Sequence, residues 1–371
     1  MQKVGIFTFS YSCNAGSVLQ AYALQNTVSS LEGYEATIVN YSKTQYGKPV
    51  IGKNVFTKSL KDWTPKNILT WIAQILTYSL RMKKYTQFFQ EYYRDFNGHL
   101  YQRQELPELN GCYDKFIVGS DQVWNYGSPQ VDETYFFDFV TDNSKKIAYA
   151  ASFGQKSVPE AKRDTARSLI SQFSAISVRE PDGVGIVKEL VNRDATLVLD
   201  PSLMLNKQDY AKLSIAPKQQ GYVFLYLRQE SKPLEAFAKK LAKAKGLKLV
   251  KVLYHWQIGK TGLPKAAVGP RQWLGFIQNA DYVVTNSFHG MCFSINFERE
   301  FYLNYLKASA TSTNSRMEGL LKQFDLSGRH MDDVTDFQAM DTIDYNRVNH
   351  FKARRQEESL SYLKAALEGN S

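Results

Sequence analysis

Apolar and polar residues alternate through Val4, Ile6 and Phe9, and the alternation stops at Ser10-Tyr11-Ser12-Cys13-Asn14-Ala15-Gly16, a run of small, turn-forming residues. This pattern predicts a strand running into a loop. From Ser17 to Leu31 the positions Val18, Leu19, Tyr22, Ala23 and Val28 recur at near-helical spacing, and Gly33 stands just past the end, where a glycine terminates a helix. A second strand is predicted at Ala36–Tyr41. Strand, short loop, helix, strand is the opening of a parallel βαβ sheet, whose ligand crevice lies at the carboxyl ends of the strands.

The rhythm then breaks. Ile68, Leu69, Ile72, Ile75 and Leu76 are spaced for one helical face and lead on to Phe88, Phe89 and Tyr92, which predicts an amphipathic helical insertion at about residues 43–103. Short strands resume at Lys115–Val118, Lys146–Ala150, Ala175–Val178 and Thr196–Leu199. After a Lys- and Gln-rich stretch at 206–220, a new series begins: strand Tyr222–Leu227, helix Pro233–Lys245, strand Leu247–Leu253, strand Tyr282–Thr285, a helix opening near His289, strand Phe301–Tyr305, and a terminal helix from about Arg347 to Leu367. The expected organisation is an α/β chain of two Rossmann-like domains, 1–205 and 206–345, followed by a terminal helix at 346–371.

Length and composition agree with this and narrow it little. A chain of 371 residues with 43% hydrophobic and 22% charged residues is an ordinary globular protein. The apolar run Ile68–Leu80 is interrupted by Thr, Gln, Tyr and Ser and falls short of the roughly 18–20 residues of a spanning helix. The start of the chain lacks a secretory pattern, so a cytoplasmic location is expected. Cys13, Cys112 and Cys292 are odd in number and lack CxxC spacing, against a disulfide framework or a cysteine zinc site. The histidines His99, His255, His289, His330 and His350 show no HExxH or paired metal spacing.

Charge changes the picture more. The net charge is +10, and residues 43–103 hold eleven Lys or Arg against three Asp or Glu, which favours anionic partners. No nucleic-acid module accompanies the surplus, so nucleic acid is not expected. A basic amphipathic helix carrying Trp63 and Trp71 can lie on an anionic membrane surface, or can simply pack on its own domain.

Three stretches carry candidate chemistry. Ala280–Gly290 is a buried-looking strand running into Asn286, Ser287 and His289 at a helix start, where free N–H groups attract anions and the histidine's pKa is open to tuning; helix capping beside a structural histidine would look the same. In Phe116–Asn125 a strand breaks at Gly119 into Ser120 and Asp121, and Asp121 either orients a hydroxyl or caps the turn. Ser177-Val178-Arg179-Glu180 puts Arg179 at a strand end, suited to a phosphate or carboxylate or else to a surface ion pair. The chain has no GxGxxG, no GxxxxGK[ST] and no GxSxG. Neither a metal nor a nicotinamide cofactor is therefore expected.

Asn14–Leu24, Gly119–Asn125, Ser177–Glu180, Asp200-Pro201-Ser202 and Thr285–Gly290, taken in this order over residues 4 to about 325, resemble the polysaccharide pyruvyl transferase family. The resemblance implies a GT-B-like pair of Rossmann-type domains with a ligand cleft between them. It also implies transfer of pyruvate from phosphoenolpyruvate to a sugar as a ketal during cell-surface polysaccharide assembly. His289 would be the acid that protonates the enol; Arg179, with Asn286, Ser287 and Arg316, would hold the donor; and Asn14, Ser120, Asp121 and Arg228 would complete the cleft and face the acceptor, a nucleotide- or lipid-linked sugar. Many members carry an arginine two residues before the histidine, where this chain has Ser287; Arg316 and Arg271 are the candidate replacements. The competing expectation is a glycosyltransferase using a nucleotide sugar on the same architecture. A third is a non-catalytic scaffold.

Overall fold

The computed structural model describes residues 1–41, 65–127, 132–252, 267–306 and 314–370. Trp63, His255 and the first part of the basic insertion lie outside them.

Two parallel sheets are formed. The first joins β1 (Gln2–Phe7), β2 (Tyr34–Ile38), β3 (Lys115–Val118), β4 (Lys146–Ala151), β5 (Ala175–Val178) and β6 (Thr196–Leu197) in the order β2-β1-β3-β4-β5-β6. The second joins β7 (Tyr222–Tyr226), β8 (Lys248–Val252), β9 (Tyr282–Thr285) and β10 (Glu300–Leu303) in the order β10-β9-β7-β8. Every pairing is parallel. The composition explains this. All residues of β4, β5 and β7 are buried, and strands covered on both faces have continuous apolar runs rather than alternation.

The strand orders place the site. In the first sheet the chain moves from β1 outward to β2 and then to the other side at β3; in the second it does the same from β7 to β8 and then β9. Each sheet therefore has a topological switch point, where successive loops diverge and leave a crevice beyond the strands' carboxyl ends. The loops concerned follow β1 and β3 in one sheet and β7 and β9 in the other.

One helix locks the two sheets together. α1 (Ala15–Ser29) is buried around nearly its whole circumference, and Val18, Leu19 and Leu24 share one continuous core with Val4 and Ile6 of the first sheet and with Phe224 and Val283 of the second. A helix that is apolar on all sides must lie inside. The insertion forms α2 (Pro65–Tyr92), which buries Tyr85, Phe88 and Phe89 against that core and exposes Leu69, Ile72, Leu76 and Leu80. The predicted single apolar face is thus two faces, because Tyr85 and Phe89 lie on the far side of the helix from the Leu69 to Leu80 stripe at about 3.6 residues per turn, with Phe88 at the edge of the buried face.

The remaining helices are α3 (Arg163–Ile170), α4 (Pro181–Val191), α5 (Lys207–Leu213), α6 (Lys232–Ala244), α7 (Pro270–Gln278), α8 (Phe288–Asn296), α9 (Ser315–Gln323) and α10 (Tyr345–Glu368). The last returns to the first sheet: Ser359 Oγ accepts from Leu199 N at 2.9 Å and the Tyr362 hydroxyl donates to the Ala148 carbonyl at 3.0 Å. No helix among the described residues is long and apolar enough to cross a membrane.

Candidate active site

The first sheet contributes a cap, a turn and a buried ion network. Beyond β1, Asn14 caps α1: its Oδ1 accepts from Gly16 N at 3.2 Å and its Nδ2 donates to Ser17 Oγ at 2.9 Å. Ser17 Oγ passes a hydrogen bond to Asp121 Oδ2 at 2.7 Å. Beyond β3 the chain turns at Gly119, with φ of 110° and a Cβ position that would fall 2.1 Å from the Tyr149 carbonyl oxygen. Only glycine fits there. The turn sends Ser120 inward and leaves Asp121, at φ 66°, on the cleft wall.

Behind that wall lies Arg179, at the end of β5. Its Nη1 donates to Asp200 Oδ2 at 2.6 Å and to Ser120 Oγ at 3.2 Å, and its Nη2 to Asp121 Oδ1 at 3.2 Å. Asp200 also accepts from Ser120 Oγ at 2.7 Å and from Ser202 N and Oγ at 2.9 and 2.7 Å. Burial alone would raise the Asp121 carboxyl, but Arg179, followed by His289, Ser17 and Arg316, holds it well below the usual carboxylate range. Asp200 is lowered against its burial in the same way, first by Arg179. Buried charges are tolerated when paired and hydrogen-bonded like this.

The second sheet contributes a histidine and two arginines. Beyond β9, the Asn286 side chain pins the two switch-point loops to each other, accepting from Arg228 N and donating to the Gln229 carbonyl, both at 2.7 Å. Ser287 caps α8, its Oγ accepting from Gly290 N at 3.2 Å. His289 follows in the first turn of α8 and presses against α1, where a Cβ on Gly16 would come within 2.4 Å of the histidine Cβ. Gly16 is therefore what lets the two halves close around the imidazole. Among the described residues His289 Nε2 has no hydrogen-bond partner, and Asp200 Oδ1 lies 3.9 Å away. Burial pushes its pKa below the ordinary value of 6.5, with Arg179 and Arg316 adding to this and Asp200 and Asp121 opposing it. Burial thus favours the neutral imidazole, and an anion bound beside it would draw a proton onto it. Arg316, in the first turn of α9, stands 5.7 Å from the Phe288 ring centroid. Burial, then the neighbouring Arg179, lowers its pKa to about 10, so it stays a cation.

These elements enclose a cleft of about 750 Å³ between the sheets, within the size range of small-molecule sites. Asn14, Asp121, Arg228, Asn286, Ser287, His289 and Arg316 all line it. Ser120 and Arg179 do not. The sequence-based role of Arg179 as a donor contact is corrected here: its side chain is fully buried, and its Nη groups are occupied by Asp200, Asp121 and Ser120. It positions Asp121. Of the two candidate replacements for the missing arginine, Arg316 is in the cleft, whereas Arg271 is held elsewhere, donating to the Leu213 carbonyl at 2.9 Å and lying over the Tyr92 ring at 5.6 Å. Asp200 is the member that reasoning from sequence left out of the site. Its signal was present, since a carboxylate just beyond a parallel strand lies at the ligand end of the sheet. Among the described residues no three His, Cys, Asp or Glu side chains are grouped to hold a metal ion.

The family described as Polysaccharide pyruvyl transferase matches residues 14–303. No curated protein matches the chain. Among solved structures, the chain is similar to S. aureus MnaA in its structure with UDP, at 12% identity and a TM-score of 0.46, covering 99% of this chain and 97% of that one. It is similar to UDP-GlcNAc 2-epimerase from Neisseria meningitidis bound to UDP-GlcNAc, at 10% identity and 0.44, covering 99% and 94%. It is also similar to the spinosyn rhamnosyltransferase SpnG, at 10% and 0.42, covering 98% and 96%. At these values the likeness says nothing of chemistry.

Proposed function

The chain belongs to the polysaccharide pyruvyl transferase family, and from that premise we propose that it takes phosphoenolpyruvate as donor and sets its three-carbon unit as a ketal on two hydroxyls of a sugar. The reading is carried by one observation: a largely buried histidine and the cationic Arg316 line the same cleft wall. Phosphoenolpyruvate brings a phosphate and a carboxylate to that wall. Arg316 is shaped to hold one of them through its planar fork, and the added negative charge raises the His289 pKa, so that the imidazole is protonated when the donor is in place.

Protonated His289 then gives its proton to the methylene carbon of the enol, which becomes the methyl group, and C2 becomes a cation-like centre. A sugar hydroxyl oxygen attacks C2, the C2–O bond to phosphate breaks, and a second hydroxyl oxygen closes the ketal. Of the two hydroxyl protons, one restores His289 and the other leaves with inorganic phosphate. Asp121, pinned as a carboxylate by Arg179, is too weak a base to remove a proton early, but it accepts a hydrogen bond from an incoming hydroxyl and fixes its direction.

A nucleotide-sugar donor would need a carboxylate for the ribose, and no Asp or Glu lines the second-sheet wall among the described residues. The test is thermal unfolding with and without phosphoenolpyruvate. At about 100 times its dissociation constant the donor stabilises the fold by about 2.7 kcal/mol, and the shift should shrink strongly in Arg316→Ala. A shift with uridine or guanosine diphosphate sugars and none with phosphoenolpyruvate transfers the site to glycosyl transfer.

The acceptor in this reading is a nucleotide- or lipid-linked sugar in cell-surface polysaccharide assembly, met in the cytoplasm. A lipid-linked one sits at a bilayer, which suits the exposed Leu69, Ile72, Leu76 and Leu80 of α2 and the basic surplus of residues 43–103 in the sequence. Co-sedimentation with phosphatidylglycerol vesicles, lost on Leu76→Glu, is the corresponding measurement. Binding to neither neutral nor anionic vesicles removes the membrane from the reading.

A further inference from the structure

The cleft is divided by charge. Both arginines that line it, Arg228 and Arg316, come from the second sheet's side. The first sheet's side contributes Asp121 and the rings Phe9, Tyr11, Tyr41 and Tyr135, with no Lys or Arg among the described residues of that wall. Phe9 stands out because it is 37% exposed just beyond the end of β1, at the switch point. A phenylalanine in that position leaves apolar area facing a polar cleft, at a cost of roughly 25 cal/mol for each Å² that could have been buried.

Its orientation is fixed by its neighbours. Tyr135 meets Phe9 edge-on, with centroids 5.2 Å apart and planes at 90°. Tyr135 is itself braced by Tyr41 at 6.1 Å. The Tyr41 hydroxyl is held in turn, donating to Asp132 Oδ2 at 3.0 Å and accepting from Thr134 Oγ1 at 3.1 Å. A partly exposed ring in the same cleft as a fixed carboxylate matches a pyranose: the ring takes the sugar's patch of axial C–H groups, and the carboxylate takes its hydroxyls.

We propose that this wall is the acceptor subsite, with Phe9 as the stacking platform and Asp121 as the hydroxyl acceptor, and that it selects an uncharged pyranose over a uronic acid or a sugar phosphate. The proposal rests on the pyruvyl-transfer reading for the word acceptor, but not for the binding itself. The selectivity follows from the charges. An anionic ring placed here would face the ionised Asp121 with no Lys or Arg lining that wall among the described residues, Arg179 being buried behind it, whereas the donor's anionic groups face the arginines opposite. Segregation of this kind also keeps the two substrates from occupying each other's places.

The test is saturation-transfer NMR with methyl β-D-galactopyranoside and methyl β-D-glucuronide, each in the presence of phosphoenolpyruvate, on the wild type, Phe9→Ala and Phe9→Trp. Saturation is expected at the ring C–H protons of the neutral glycoside. Its affinity should weaken about tenfold in Phe9→Ala and be retained in Phe9→Trp, while the thermal shift with phosphoenolpyruvate stays the same in all three proteins. Preference for the glucuronide, unchanged glycoside binding in Phe9→Ala, or no binding of either glycoside to the wild type overturns the proposal. If the glycoside binds through Phe9 while phosphoenolpyruvate gives no shift, the subsite stands and the donor reading falls.

Discussion

The crevices at the ends of the two sheets arise from the same strand order, with a first strand flanked by the second and third, and they are filled with opposite chemistry. In the first sheet the arginine beyond β5 is buried behind the wall, its Nη groups bonded to Asp200, Asp121 and Ser120, and what reaches the cleft is the carboxylate it fixes. On the second sheet's side Arg316 reaches the cleft itself. Both guanidinium groups lie over the same ring, Phe288, at 4.7 and 5.7 Å. The shared ring shows how a few ångströms decide between a cation that organises a site and one that serves it. A fold supplies the crevice twice over; the side chains at the strand ends decide what each copy binds.

That contrast breaks most sharply at His289, the group that bridges the two crevices. His289→Ala is expected to lower the transfer rate by roughly two to four orders of magnitude, the range for a positioned general acid. The donor-induced thermal shift should survive in part, because Arg316 remains. Single-turnover measurements with saturating donor separate the two effects, and a variant with unimpaired turnover would remove His289 from the chemistry.

The two arginines are separated by stability. Arg179→Met leaves Asp200 and Asp121 buried without their cation, and breaking a buried pair in this way costs about 3–5 kcal/mol. Arg316→Met removes a half-buried charge that forms no ion pair among the described residues, so its unfolding midpoint should stay near that of the wild type. Urea unfolding of both variants checks this. Equal losses would mean that Arg316 is as structural as Arg179.

Much of the sheet framework was legible in the sequence, because strands buried on both faces advertise themselves as short apolar runs: Lys115–Val118, Ala175–Val178 and Tyr282–Thr285 have their predicted limits. The cleft residues were legible for a related reason, since in parallel sheets the ligand lies where such runs break. Two things were not. Pattern gives the position of a side chain along the chain but not its depth, so Arg179 at a strand end read like a ligand contact when it is fully buried. Pattern also does not fix which side of a long helix faces the core when apolar residues occur around most of it, which is why Leu69 and Phe88 of α2 were read as one face.

The smallest expected effect concerns protons and sharpens the comparison at the junction of the two crevices. The His289 pKa lies below 6.5 in the folded protein, chiefly through burial, whereas the unfolded chain titrates near the ordinary value. Between those limits the unfolded state holds more protons, so stability rises with pH there and the contribution of His289 is lost as the pH falls below about 6.5. Asp121 and Asp200, also lowered, act in the same direction, but only from about pH 4 downward. His289→Gln should therefore flatten the upper part of the acid limb and leave the lower part. An anion bound by Arg316 reverses the shift on His289, so donor binding takes up a proton, and the stabilisation by phosphoenolpyruvate should grow as the pH is lowered from 8 to 6.5 in the wild type but not in His289→Gln. A donor effect independent of pH in both proteins would place the anion away from the histidine, on the far side of Arg316.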